Sequence, residues 1–143
     1  MKLHKTILAK NSLDKSEQAL KNAELSFNND FFTEAHNKVY YSVFYLVLAL
    51  GYLDEFVTGK HHQLMGWFNK KYIHELKLFD FKIVKIYNTL IRNRETFDYD
   101  VSQKPTKESV IKDIEDAKSF IDTVKPYVIK KLEAQAKEES NAN

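Results

Sequence analysis

The chain has no cysteine, three glycines, two prolines and two arginines among 143 residues. Without cysteine there is no disulfide and no thiolate chemistry, and a reducing compartment is compatible. So few glycines and prolines exclude a protein built of many turns and hairpins. They also leave no phosphate-cradling glycine loop. No apolar run reaches the roughly 20 residues needed to span a bilayer. The longest, "VYYSVFYLVLALGYL" (39–53), carries three tyrosines and a serine near its start and reads as a buried helix. The opening "MKLHKTILAKNSLDKSEQ" lacks the apolar core and small-residue cleavage site of a signal peptide. The expected location is therefore the cytoplasm, with no membrane partner. A net charge of +2 is too small for a general nucleic-acid coat, so any phosphate recognition must be local.

What the chain does have is helical periodicity. With 43% hydrophobic and 29% charged residues it is long enough for one proper core. The spacing predicts an all-α, up-and-down bundle of four or five helices over residues 1–128. A polar tail, 129–143, is expected to fray. The first helix covers about 5–27. Asp30 is a candidate N-cap for a second that ends near Leu50, at Gly51. That second helix becomes apolar on every side after Val39, and so must either lie centrally or pack partly against a second subunit. Thr58 or Gly59 can open a third helix, "KHHQLMGWFNKKYI". A fourth runs over about 81–99, and Thr106 can cap the last, in which Pro126 should cause a kink or a split.

Twenty lysines carry the rest of the positive charge, so the two arginines stand out in "LIRNRETFDYD" (90–100). At about 100° per residue, Ile83, Tyr87, Leu90, Arg94, Phe97 and Val101 form one stripe, with Arg94 in the middle of an apolar seam. Arg92 projects roughly opposite, among Lys85, Asn88, Glu95 and Tyr99. A charged fork on a packing face is costly unless it is paired or faces a cleft. Asp98, one turn on, is the nearest candidate partner. Arg94 is thus either half of a helical ion pair or a ligand-facing group, and Arg92 reads first as a solvated charge.

Other groups are less pointed. The histidines (4, 36, 61, 62 and 74) do not form the paired spacing with carboxylates that a zinc site needs, so no metal and no cofactor are expected. In "GKHHQ", Lys60 with His61 or His62 could reach an anion at a helix N-terminus, or could simply be a cap and a solvated face. Tyr40, Tyr41, Phe44 and Tyr45 could stack bases, although their spacing suits core or dimer packing better. Along the last helix, Lys107, Lys112 and Lys118 alternate with Glu108, Asp113 and Asp116 as on a solvated face.

Three segments in order, "EAHNKVYYSVFYLVLAL", "GKHHQLMGWFNKKYI" and "RNRETFDYD", resemble the HEPN family, the higher-eukaryote and prokaryote nucleotide-binding domains, over about residues 11–128. The likeness is closest to a small prokaryotic branch whose fourth helix ends in arginine, three residues and Asp-Tyr, here Arg94, Asp98 and Tyr99. The resemblance implies a helical bundle that dimerises around the motif helix. It also implies a place in a toxin–antitoxin or defence module, often beside a minimal nucleotidyltransferase partner. Many members are metal-independent ribonucleases in which arginine steadies the scissile phosphate and a histidine four to six residues on transfers protons. Laid on that pattern, Arg92-Asn93 matches an Arg-Asn pair and Tyr99 a tyrosine seven residues on, but Phe97 stands at the histidine; with Arg94 as the motif arginine, which helical phase favours, Asp98 or Tyr99 stands there. No histidine follows His74.

The expected function is therefore binding of a nucleotide, RNA or a nucleotidyltransferase partner through Arg94, Asp98 and Tyr99 without the usual ribonuclease chemistry. Arg92, Asn93, Lys60 and His62 are further candidate ligand-binding residues. One alternative is a ribonuclease toxin with a divergent motif, its catalytic candidates again Arg94, Asp98 and Tyr99, and His62 substituting from elsewhere in the dimer. A purely structural assembly partner is the other.

Overall fold

Helix α2 (Phe32–Leu53) is the axis of the molecule, and α1 (Lys2–Asn28), α3 (His61–Phe68), α4 (Phe81–Tyr99) and α5 (Lys107–Ala142) pack against it. This computed structural model describes residues 2–142, with side chains from His4 onward. Residues 1 and 143, the outermost ends of the expected domain and tail, lie outside the described residues. The result is the all-α bundle the periodicity predicts. Most of the apolar circumference of α2 is covered within the one chain: Val39, Tyr40, Val43, Leu46, Val47 and Leu50 are all fully buried, while Tyr41, Tyr45, Leu48 and Tyr52 on one side are half-buried. Small residues on α1 (Ala9, Ala19 and Ala23) let that helix approach closely. Aromatic rings from α3, α4 and α5 meet behind α2, with Phe68 5.8 Å from Phe120 and 6.0 Å from Tyr87 between ring centroids.

Several local expectations need correction. Asp30 is not the cap of α2: it adopts a left-handed φ of 62° in the turn, and Phe31 holds the N-cap place with no side-chain cap bond. Gly51 does not end α2, which continues to Leu53. The segment after Phe68 winds on as a π-helix, Asn69–Glu75, closed by an amide bond from Leu76 to the Lys71 carbonyl at 2.9 Å. Pro126 does not split α5, a single helix of 36 residues. The ring lies on an exposed face, where water can serve the freed carbonyl. Val101 is off the α4 stripe, beyond the helix end and 92% exposed.

The caps of the last two helices follow local chemistry. Asp80 accepts from the Lys82 amide at 3.0 Å to start α4. Thr106 Oγ1 accepts from the Ser109 amide at 3.0 Å while Ser109 Oγ accepts from the Thr106 amide at 2.9 Å, a reciprocal box. The polar segment 129–142 continues α5. It is held back onto the bundle: Gln135 donates to the Leu53 carbonyl at 3.1 Å and Thr6 donates to Glu139 at 2.7 Å. Lys131 and Lys71 both reach the Asp54 carboxylate, whose side chain is 3% exposed, and the Tyr72 hydroxyl donates to it as well.

Gly51 has a packing role. A Cβ there would stand 2.7 Å from the Phe56 carbonyl oxygen, which belongs to backbone that folds back to bond the Gly51 carbonyl through the Phe56 amide at 2.8 Å. Gly51→Ala should therefore destabilise the chain by roughly 1–3 kcal/mol, seen as a lower midpoint in urea unfolding. The same change at Gly66, with nothing within 4 Å of its would-be Cβ, should not destabilise it.

Candidate functional site

Arg94 lies one turn beyond Leu90 on the inner stripe of α4, its side chain only 17% exposed. Its guanidinium carbon sits 5.2 Å from the ring centre of Tyr40 and 5.5 Å from that of Tyr41, both on α2. Two aromatic faces attract a flat cation and remove it from bulk water. Formal partners are weaker than this setting demands. Asp98 Oδ2 stands 3.3 Å from Nε, close enough for charge attraction but out of line for a hydrogen bond, so the buried Nε–H lacks an acceptor among the described residues. An i,i+4 pair contributes about 0.3–0.5 kcal/mol, far less than desolvating a guanidinium costs. Asp98 alone does not account for Arg94.

The other neighbour is His61, the first residue of α3. A short turn sets its position: Thr58 Oγ1 accepts from the Lys60 amide at 3.1 Å and donates to Gln63 at 2.5 Å. The imidazole stacks on Phe44 at 4.3 Å and 11° and lies nearly parallel to Tyr40 at 5.5 Å. Its Nδ1 is 2.6 Å from the Tyr40 hydroxyl and 3.4 Å from Arg94 Nη1. Arginine can only donate, so Nδ1 is the acceptor and the ring proton resides on Nε2. Among the described residues the ring's hydrogen-bond contacts are made by Nδ1 and none by Nε2. Burial, and then the positive charges of Arg94 and His62, hold the His61 pKa below its ordinary value against the pull of Glu95. Burial pushes the Tyr40 hydroxyl well up, although Arg94 opposes it, so that hydroxyl keeps its proton and donates.

A second polar group backs the same turn of α4. His36 and Asp113, 1% and 4% exposed at their side chains, meet at 2.7 Å between Nδ1 and Oδ2. Asn93 Nδ2 reaches the other carboxylate oxygen at 3.5 Å. The edge of His36 faces Phe97 at 4.9 Å, and its Nε2 is buried without a partner among the described residues. Asp113 is thus not part of a solvated face: it is buried and ties α5 to α2 and α4.

Of the residues singled out from sequence, the structure brings Arg94 and Asp98 together. It sets His62 beside them, Nε2 2.9 Å from Glu95 Oε2. Asn93 turns instead to Asp113. Tyr99 is 77% exposed, and Arg92 and Lys60 are exposed without an ion pair among the described residues. His61, Tyr40 and Tyr41 are the additions that sequence reasoning did not join to Arg94. The four-residue step from Tyr40 to Phe44 placed both rings on one face of α2, but nothing local revealed that the α3 start would stack on them.

The arrangement has a direct titration signature. The His61 Cε1–H resonance should titrate below about 6.5, and Arg94→Ala should move the midpoint upward. Because the folded chain takes up this proton less readily than the unfolded chain, the associated stability is full above about pH 6.5 and declines as pH falls toward the folded midpoint. His61→Phe should flatten that part of the melting-temperature profile. A wild-type midpoint at or above 6.5 would contradict the contact.

Comparison with known proteins agrees with the geometry of the bundle. The family model described as HEPN domain matches residues 9–127. A Methanocaldococcus jannaschii protein named "Putative toxin" is 30% identical over 119 residues, 83% of this chain and 80% of its own length. A Thermotoga maritima protein named "UPF0332 protein" is 27% identical over 114 residues, 80% of this chain and 86% of its own. No helix among the described residues is long and apolar enough to cross a membrane. With a helical bundle of this order, and a match over most of its length, the chain belongs to the HEPN family.

Proposed function

We propose that this chain is a toxin-like HEPN module that binds a phosphate of RNA or of a nucleotide at Arg94, and that it works with a nucleotidyltransferase-type partner. The observation that carries this reading is the incomplete pairing of Arg94. Its buried Nε–H lacks an acceptor among the described residues and its nearest carboxylate is misaligned, so rings rather than acids hold a cation whose side chain keeps 17% exposure, while the His61 Nε2–H is turned away from the intramolecular bonds made by Nδ1. The exposed edge of a guanidinium held between aromatic walls suits an oxyanion, since bonds to a charged acceptor are about twice as strong as neutral ones. Asp98 then steers the guanidinium, as a carboxylate close to a phosphate would otherwise repel it. Tyr99, exposed at the end of α4, is free to meet the partner or the ligand. We also infer a homodimer, in which a second copy covers Tyr99 and Val101.

A ribonuclease reading is favoured by one observation, the imidazole of His61 beside Arg94, even though Asp98 or Tyr99 stands where a motif histidine would follow Arg94. Its weakness is the proton: with Nδ1 engaged by Tyr40 and Arg94, the outward nitrogen is a donor and not a base. Binding without cleavage follows from that tautomer.

Purified protein incubated with total RNA in the absence of added metal should therefore bind but leave the RNA intact. Arg94→Ala should reduce binding at least tenfold with the fold retained by circular dichroism, and Arg92→Ala should not. Cleavage that disappears in both Arg94→Ala and His61→Ala would establish the ribonuclease instead. For the dimer, light scattering after gel filtration should give a particle of two chains, and a single-chain mass would remove it.

A further inference from the structure

The groove between α1 and α2 has a composition found in no other cavity described for this chain. Lys15, Gln18 and Asn22 line it from α1, and Lys38, Tyr41 and Tyr45 from α2, around a cavity of about 460 Å³. Both triplets are spaced three and then four residues apart, so each is one face of its helix. Ala19, buried on α1, lines it as well. The volume falls within the roughly 300–1,000 Å³ typical of small-ligand sites.

Charge separates this groove from the other two described cavities. In each of those a lysine stands beside an acid: Lys118 is 3.4 Å from Glu24 in the cavity between α1 and α5, and Lys112 is 3.2 Å from Asp116 in the cavity between α4 and α5. Lys15 and Lys38 have no ion pair among the described residues, and no carboxylate lines their groove. The nearest stabilising contact of Lys15 is with a ring, its Nζ 5.6 Å from the centre of Tyr45. In a chain of net charge +2, two unneutralised ammonium groups flanking two half-buried tyrosines form a local anion site with a stacking surface.

Position supplies the identity of the ligand. Tyr41 is a wall of this groove and also one of the two rings under the Arg94 guanidinium. A ligand seated here is separated from the Arg94 anion site by about one ring. We infer that the groove holds the nucleotide unit of a single-stranded RNA next to the phosphate bound at Arg94. Its base stacks on Tyr45 and Tyr41, its own phosphate pairs with Lys15 and Lys38, and the amides of Gln18 and Asn22 meet polar groups of base or ribose. Stacking rings with flanking lysines track a strand without demanding a sequence. This assignment rests on the anion-binding reading of Arg94, and it extends the surface used from α4 to the outer face of α1.

The test uses the full chain and a fluorescein-labelled RNA decamer, 2′-O-methylated at every ribose so that no 2′-hydroxyl can attack, followed by anisotropy. Tyr45→Ala should weaken binding on the order of ten- to a hundredfold, and Tyr45→Phe should restore it. The Lys15→Ala/Lys38→Ala pair lies on the surface and does not depend on core packing. It should also weaken binding and reduce the slope of log affinity against log salt by about 1.4. Unlabelled decamer should compete far better than AMP; equal competition would overturn the strand assignment in favour of a free nucleotide. Wild-type affinity in Tyr45→Ala and the lysine pair, with loss only in Arg94→Ala, would sink the groove and leave the Arg94 site standing. Loss in the groove variants with Arg94→Ala unaffected would keep the groove and remove the phosphate at Arg94. No binding by wild type would overturn both.

Discussion

Every other element is arranged by the need to cover α2. From Val39 on, α2 is apolar on every side and needs cover on every side, and α1, α3, α4 and α5 together bury most of that girth, leaving Tyr41, Tyr45, Leu48 and Tyr52 half-buried. Each large side chain taken out of water contributes about 1.5–3 kcal/mol, set against a conformational cost of similar total size. Ser42, buried on α2, is satisfied locally: it donates to the Val39 carbonyl at 2.6 Å, and Ser16 of α1 donates to the Ser42 carbonyl at 2.6 Å. The Arg94 cluster arises at the surface edge of this same helix. Tyr40 is buried and Tyr41 half-buried, so α2 offers Arg94 two rings where its apolar girth begins to meet water.

Burial alone would allow the helices to slide, and two polar knots oppose that. His36 and Asp113 join α2 to α5 and, through Asn93, to the turn of α4 that carries Arg94. Asp54 gathers Lys71, Tyr72 and Lys131 at the far end of α2. Burial by itself would raise the Asp54 pKa, but hydrogen bonds from Lys131, Tyr72 and Lys71 outweigh it and hold the carboxyl below its ordinary range. Its contribution to stability is therefore present above the unfolded carboxylate value and lost as pH falls through the folded one. The knots sit at opposite ends of one helix, and the one nearer the site fixes the register that puts Arg94 over its tyrosines.

The bundle was legible because its signals are local. The stripe through Ile83, Tyr87 and Leu90 and the capping chemistry of Thr106 depend on a few neighbouring residues. The failures were equally physical. Asp30 is a good capping residue in isolation, yet the reversal after Asn28 requires a left-handed residue there. Pro126 lacks one hydrogen bond on a face where water is available. Gly51 looked like a stop signal but is small because the Phe56 carbonyl presses on it. The candidate site was half legible. Phase alone put Arg94 on the inner face, whereas His61 lies 33 positions earlier in the chain and its placement depends on where α3 begins and on the rings it stacks against. Asp113 was hidden by its acidic and basic neighbours, since alternating charge along α5 disguises one buried carboxylate.

The scarcity of arginine then acquires a reason at one position. A lysine at 94 would carry the same charge, but an ammonium is compact and strongly hydrated, and two tyrosine faces with one misaligned carboxylate would be poor exchange for its water. A guanidinium is flat, weakly hydrated and able to lie over Tyr40 and Tyr41 while aiming Nη1 at His61 and Nε toward Asp98. In the proposed role it also presents donors to an oxyanion. Arg92 has no such surroundings: it is exposed, on the other side of the same helix, and any cation would serve there. The chemistry that selects arginine over lysine therefore operates at residue 94, in the place where a buried cation is held by rings and left short of acceptors.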